Sequence, residues 1–214
     1  MQSFHTIAVI GGTGRAGSAL TTSLLAHGYR VRLLARKPEN VTLTHPALTI
    51  VAGDATDREA MLSLMEHCDA VISTIGQPKD EPLNAVASTL LVLEGMEWYG
   101  IRRYMTITGL TIDSPADRKS PATQALTDYM KTAFPVVVAD KQRAFELLRE
   151  SSVDWTQVRL PMIVSSEQRT TVITDLYDCP GEQVTTADIA AFLTEQLEGT
   201  DFIRLAPFLA SGGL

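Results

Sequence analysis

The run Gly11-Gly12-Thr13-Gly14-Arg15-Ala16-Gly17 limits what this chain can fold into more than any other segment. A strand-like apolar stretch over residues 6–10 precedes it. A helical pattern over residues 15–27 follows, with Ala16, Ala19, Leu20 and Leu24 on one side and Gly28 as its stop. The same glycines satisfy G-x-G-x-x-G from Gly12 and G-x-x-G-x-x-G from Gly11. In such a turn Gly11 permits the sharp reversal and Gly14 lets the backbone approach a pyrophosphate. Gly17 lets the helix lie close to the sheet. The unpaired N–H groups of the first helical turn, with the helix dipole, would then hold phosphate oxygens. A merely tight strand-to-helix turn is the competing reading. The strand before, the helix after and the place early in the chain argue for a dinucleotide site.

Downstream, strand and helix patterns alternate. Strands are expected over residues 30–35, 48–52, 70–74, 104–108 and 155–159. Helices are expected after Asp57, which can act as a cap, from Pro82 to the stop at Gly100, and over residues 141–150. This alternation implies right-handed crossovers and a doubly wound parallel sheet of order 3-2-1-4-5-6, a Rossmann fold. Any ligand crevice would lie beyond the carboxyl ends of the strands. The chain is read as one domain over residues 1–214, in which residues 161–214 add a small C-terminal lobe on the substrate side. A polar loop over residues 113–121 and a helix near residues 123–132 precede that lobe. A β-like run at 170–173, a helix at about 186–198 and a last short strand at 202–205 are expected within it.

The strand ends indicate which dinucleotide. An NAD site usually closes its second strand with an acid that accepts from the ribose hydroxyls. Here Arg36 and Lys37 follow Ala35, and no carboxylate appears until Glu39. A guanidinium and an ammonium suit a 2′-phosphate. Arg15 could approach the same group from the glycine turn. The expected cofactor is therefore NADP(H), although Arg36 and Lys37 also read as solvated surface charges. Asp54 and Ala55 follow the third strand, where a carboxylate can accept from the adenine amino group or simply order the turn. Thr74, Ile75 and Gly76 end the fourth strand, and Gly76 allows backbone close to the ribose and pyrophosphate.

The formal net charge of −7 argues against binding a nucleic-acid backbone. Cys68 and Cys179 show no metal-ligand spacing and no disulfide framework. No signal peptide and no membrane-spanning stretch is visible, so a reducing cytoplasm is the expected setting. His5, His27, His45 and His67 sit at element ends or in loops, and none is placed like a catalytic base.

Taken together, the glycine turn, Leu34-Ala35-Arg36, residues 53–57, residues 71–76, residues 103–108, residues 141–149 and residues 154–161 resemble the atypical short-chain dehydrogenase/reductases. The likeness is to the NmrA-like NAD(P)-binding proteins and the biliverdin-IXβ/flavin reductases, and it covers roughly residues 5–164. It implies that Thr108 ends the fifth strand near the nicotinamide. It implies that Lys141 hydrogen-bonds the nicotinamide ribose, and that Pro161, Met162 and Ile163 form a loop packing on the nicotinamide face. Thr108 and Lys141 are the residues it places at the chemistry. Each also has a plainer reading: a strand threonine, a helix-surface lysine and a strand-ending proline.

One departure matters. Active members of that group often use Tyr-x-x-x-Lys, whose tyrosine transfers a proton. Four residues before Lys141 stands Val137, and no tyrosine in the chain has a lysine four residues after it. Reduction of a flat conjugated substrate, a flavin or a quinone, needs that tyrosine least, because hydride goes to an electron-poor ring and water can supply the proton. Tyr129 or Asp128 is a second candidate acid. The expectation is an NADPH-dependent reductase of a planar small molecule, a monomer or homodimer. A non-catalytic NADP(H) sensor that docks a regulatory partner remains open. A nucleotide-sugar epimerase-like enzyme is a third reading, for which the stretch after Pro161 is short.

Overall fold

The computed structural model describes residues 5–77 and 83–212. In chain order the elements are β1 (Thr6–Ile10), α1 (Arg15–Ala26), β2 (Arg30–Ala35), β3 (Leu48–Ala52), α2 (Arg58–Met65), β4 (Ala70–Ser73), α3 (Ala85–Tyr99) and β5 (Arg103–Gly109). They continue with α4 (Pro121–Ala133), α5 (Pro135–Glu150), β6 (Asp154–Leu160), β7 (Met162–Val164), β8 (Thr171–Asp175), β9 (Gln183–Thr185), α6 (Thr186–Glu195) and β10 (Phe208–Gly212). The main sheet runs β3-β2-β1-β4-β5-β6-β10-β8, and β7 pairs with β9 in a separate parallel pair. The first six strands are parallel and carry the expected 3-2-1-4-5-6 order of a Rossmann fold.

The period-two pattern of the strands puts a core on each face. From β1, Ile7 and Val9 join Leu20 and Leu24 of α1 and Ile189, Phe192 and Leu193 of α6. Ala8 and Ile10 face the other way, with Met61 and Leu64 of α2, Met96 of α3 and Phe145 of α5. Each fully buried leucine or isoleucine contributes about 1.5–3 kcal/mol to this arrangement.

Several boundaries differ from the pattern in the sequence. Asp57 caps α2 as expected, accepting from the Glu59 and Ala60 N–H groups at 2.9 and 3.3 Å. The helix expected from Pro82 begins at Ala85 with Asn84 as its N-cap residue, and Pro82 lies outside the described residues. Helix α5 starts six residues before Lys141, because Pro135 occupies its first position, where a missing N–H costs nothing. A single residue, Phe134, separates it from α4. The last strand lies at residues 208–212 and not at 202–205. Arg204 takes a left-handed φ of 59°, which breaks an extended run, and the strand forms only after Pro207. Strand β10 then inserts between β6, parallel to it, and β8, antiparallel. Part of the expected C-terminal lobe thus extends the main sheet.

Candidate functional site

The glycine turn is dictated by sterics. Gly11 has φ +76°, and a Cβ there would lie 2.8 Å from the Ile75 backbone nitrogen. A Cβ on Gly17 would lie 2.2 Å from the Gly11 carbonyl oxygen and 2.6 Å from the Thr74 hydroxyl. These contacts bring the turn against the end of β4, where Thr74 donates to the Ile10 carbonyl through its N–H at 2.8 Å and its hydroxyl at 3.2 Å. Gly12 is tight as well: its Cβ would strike the Leu33 side chain. Gly14 differs. A Cβ there would meet only the Gly11 carbonyl, at 3.2 Å, so the space above it is open. Gly14 is the N-cap of α1, no side chain caps that helix and its first turn holds no acid. The N–H groups of that turn are left for a ligand. Thr13 and Arg15 are exposed there, and Ala16 is buried.

Arg15 departs from the expectation. Its guanidinium donates to the Ile163 carbonyl of β7 at 3.4 Å. Ile163 follows β6, whereas Arg36 follows β2, on the other side of β1 in the sheet. The three cations do not converge on one corner, because the turn directs Arg15 toward β7. Arg36 instead approaches Asp54 at 4.0 Å, with both side chains about half exposed. Such an exposed pair is worth about 0–1 kcal/mol. Lys37 is exposed. Asp54 also orders its own turn, accepting from the Thr56 hydroxyl at 2.6 Å and the Thr56 N–H at 2.9 Å. The Thr56 hydroxyl chiefly holds the Asp54 carboxyl below the usual carboxylate range, with help from the Thr56 N–H and Arg36 against partial burial. Ala55 beside it is buried.

A narrow cleft opens between the ends of β4 and β5, α3 and α5. Ile75, Gly76, Thr108 and Lys141 line it together, so the structure joins the β4 end to both residues that the resemblance places at the chemistry. Burial pushes the Lys141 ammonium below the usual lysine range, and the neighbouring Asp140 carboxylate opposes that shift. Among the described residues, the buried Thr108 hydroxyl has no hydrogen-bond partner. Val137 lies one helical turn before Lys141 on α5, so the missing tyrosine is missing from the matching face. Asp128 and Tyr129 are exposed on α4, and neither lines the cleft. Asp128 accepts from Gln124 of its own helix at 2.8 Å. Met162 and Ile163 belong to strand β7 and not to a free loop, because Met162 donates to the Glu182 carbonyl and β9 holds the segment. Met162 is 72% exposed, and Pro161 is half-buried beside it.

Two groups of polar residues escaped the sequence argument. The first is a stripe on one face of the sheet that continues from Thr108: Ser73 on β4, Tyr104 and Thr106 on β5, Gln157 on β6, all lining the cleft. The Tyr104 phenol is 3% exposed. Burial pushes it up to about 12, against hydrogen bonds with Thr106 and Ser73. The second anchors the loop after β5. Fully buried Arg159 pairs with Asp117 at 2.5 Å, donates to the Ala206 and Leu176 carbonyls, and lies 3.5 Å from the centre of the Phe208 ring. Lys119, 3% exposed at its side chain, pairs with Asp113 at 2.9 Å and donates to the Ile112 carbonyl. The sequence did carry a signal: an arginine in a strand covered on both faces has to be buried, and a buried charge needs partners. Arg103 on β5 obeys the same rule, donating to the Asp154 and Gln196 carbonyls, and burial pushes its guanidinium down to about 10.

The sequence profile of the NAD(P)H-binding family matches residues 11–200, from the glycine turn to beyond α6. The chain belongs to the NAD(P)H-binding family. Among its relatives, a (4-alkanoyl-5-oxo-2,5-dihydrofuran-3-yl)methyl phosphate reductase of Streptomyces griseus is 25% identical over 202 residues, 91% of this chain. The chain spans 64% of that relative's length. Two solved structures share the fold of this NAD(P)H-binding protein. A short-chain dehydrogenase/reductase of Veillonella parvula in complex with NADP superposes with a TM-score of 0.80 at 16% identity, covering 99% of this chain and 96% of the other. ChuY, an anaerobillin reductase of Escherichia coli, gives 0.79 at 20% identity, covering 98% of each. The resemblance to NAD(P)-binding proteins read from the motifs stands. Among the described residues no helix is long and apolar enough to cross a membrane.

Proposed function

We propose that this protein is an NADPH-dependent reductase of a flat, conjugated small molecule of the flavin or quinone class. The observation that carries the reading is the cleft in which Thr108 and Lys141 face the end of β4, with Val137 where a proton-donating tyrosine would stand. The names of the Streptomyces relative and of ChuY, both reductases, support it.

The residues present fit the cofactor. The open space over Gly14 and the uncapped first turn of α1 suit a pyrophosphate, and the orphaned Thr108 hydroxyl suits a polar group at the nicotinamide end. NADP(H), when bound, supplies the hydride. Gly11, Thr13, Gly14, Arg15, Ala16 and Gly17 hold the phosphates. Arg36 and Lys37 meet the 2′-phosphate, and Asp54 and Ala55 border the adenine. Thr74, Ile75 and Gly76 border the ribose and pyrophosphate. Lys141 orients the nicotinamide ribose, while Pro161, Met162 and Ile163 cover one face of the ring. The exposed Met162 side chain offers a planar substrate an apolar surface to stack on.

The test is NADPH oxidation measured against a panel of flavins and quinones. Turnover with at least one acceptor above the enzyme-free background is expected. None above background across the panel overturns the reading in favour of a binding protein without catalysis. Thermal-shift assays settle the cofactor: a larger shift with NADP than with NAD is expected, and equal shifts overturn the role given to Arg36. Arg36→Ala is expected to weaken NADP binding about tenfold, the scale of one charge-assisted hydrogen bond, and to leave NAD binding unchanged.

A further inference from the structure

Helix α3 starts without a cap of its own. Asn84, at its N-cap position, makes no capping hydrogen bond, and the first turn holds no acid. The missing acceptor comes from another helix. The Asp140 carboxylate of α5 accepts from the Ala85 N–H at 2.9 Å and from the Val86 N–H at 3.4 Å. The Asn84 side chain is thereby free to reach the other way, and its amide donates to the Gly76 carbonyl at 3.1 Å. Gly76, Asn84, Ala85 and Lys141 all line the cleft. The end of β4, the head of α3 and the turn of α5 that carries Lys141 therefore form one hydrogen-bonded unit around it.

We propose that Asp140 is a positioning residue for Lys141: its carboxylate joins the head of α3 to the turn of α5 and so fixes the lysine's place and electrostatic surroundings. The proposal rests on the reading that Lys141 meets the nicotinamide ribose. The Asp140 carboxylate sits at the positive end of the α3 dipole, held by two N–H donors. That leaves a fixed negative charge next to a lysine that burial drives toward its neutral form, and the charge opposes the shift. Among the described residues, the other elements lining the cleft supply no substitute. Residues of β4 and α3 present serine, threonine and asparagine, and β6 presents Gln157. From β5 comes Tyr104, whose phenol burial keeps protonated and uncharged. Among the residues lining the cleft and Asp140 itself, Asp140 is the negative charge facing Lys141.

Cap and charge can be separated. Asp140→Asn keeps an acceptor for the Ala85 N–H but removes the charge, whereas Asp140→Ala removes both and Asp140→Glu keeps the charge. NADPH binding is titrated by fluorescence from neutral to alkaline pH for these variants and for Lys141→Met. The wild-type protein is expected to lose affinity at the alkaline end as Lys141 loses its proton. In Asp140→Asn that loss is expected to begin roughly one pH unit lower, with Asp140→Glu following the wild-type profile. In the window between the two transitions, where Lys141 is neutral in Asp140→Asn and still charged in wild type, the variant is expected to bind about threefold more weakly, and the curves converge once both lysines are neutral. A purely structural cap would be served equally well by asparagine. An Asp140→Asn profile that superimposes on the wild type therefore overturns the proposal. A Lys141→Met protein that binds NADPH as tightly as wild type overturns the placement of Lys141 instead.

Discussion

The glycine turn and the Arg159 corner both lie where strands of the sheet end, and they are built on opposite principles. In the turn, Gly11, Gly12 and Gly17 are fixed by contacts under 3 Å that a single Cβ would make, against backbone, the Leu33 side chain or the Thr74 hydroxyl. In the corner, Arg159 is fixed by charge: one cation, fully buried, joins β6, the Asp117 loop, the segment after β8 and the approach to β10. The turn is specified by what is absent and the corner by what is present. A steric site fails when something is added, and an electrostatic site fails when something is removed.

The sharpest test of this contrast is Arg159→Met. It removes the closer of the two cations that face Asp117, leaving Lys119 at 3.5 Å, and the expected cost is about 3 kcal/mol in urea unfolding. Adding Asp117→Leu to that variant should recover much of the loss, since removing both partners of a buried pair is far milder than removing one. If the single variant costs under about 1 kcal/mol, the corner is not held by charge.

Gly17→Ala comes next. The added methyl collides with the Gly11 carbonyl, so a loss of about 1–3 kcal/mol is expected, with weaker cofactor binding in a titration. Gly14→Ala should separate the two effects: a smaller stability loss than Gly17→Ala, because its one contact is tight at 3.2 Å and not a collision, together with weaker NADPH binding. Equal stability for both alanine variants would remove the steric half of the contrast.

A smaller effect is expected at Asp188, a buried carboxylate near the start of α6. Burial pushes it up, but donors on Ser211 and Thr170 outweigh that and hold it below the usual range. A depressed carboxyl contributes stability that is present above its unfolded pKa of about 3.9 and is lost as pH falls through the folded value. Urea melts should therefore show stability falling below about pH 4, and Asp188→Asn should flatten that acid limb. An unchanged limb would show that other carboxylates dominate. The smallest effect is Asp57→Ala, which removes the cap of α2 and should cost about 1 kcal/mol in thermal unfolding.

The same contrast explains what the sequence revealed. A glycine that cannot carry a side chain is a local demand, written in consecutive residues, so the turn and the strand order after it could be read directly. The partner of Arg159 stands 42 residues away, and Arg159 looks like an ordinary strand residue until both faces of β6 are known to be covered. Asp140 was invisible for a similar reason: its role depends on where α3 begins. The contact of Arg15 with the Ile163 carbonyl was not legible, because the reach of a long side chain depends on β7, a strand that the sequence pattern did not suggest.

Strand β10 has a consequence for how the protein is made. It lies between β6 and β8, yet it is spelled by residues 208–212. During synthesis β6 emerges some time before the neighbour that will cover its outer side. Until then a nascent chain carries an open row of backbone donors and acceptors, and Arg159 lacks the Ala206 carbonyl and the Phe208 ring. An open edge of this kind invites pairing with other chains. A ribosome that stalls in the last stretch before residue 208 would release a polypeptide prone to aggregate, however well its glycine turn had formed.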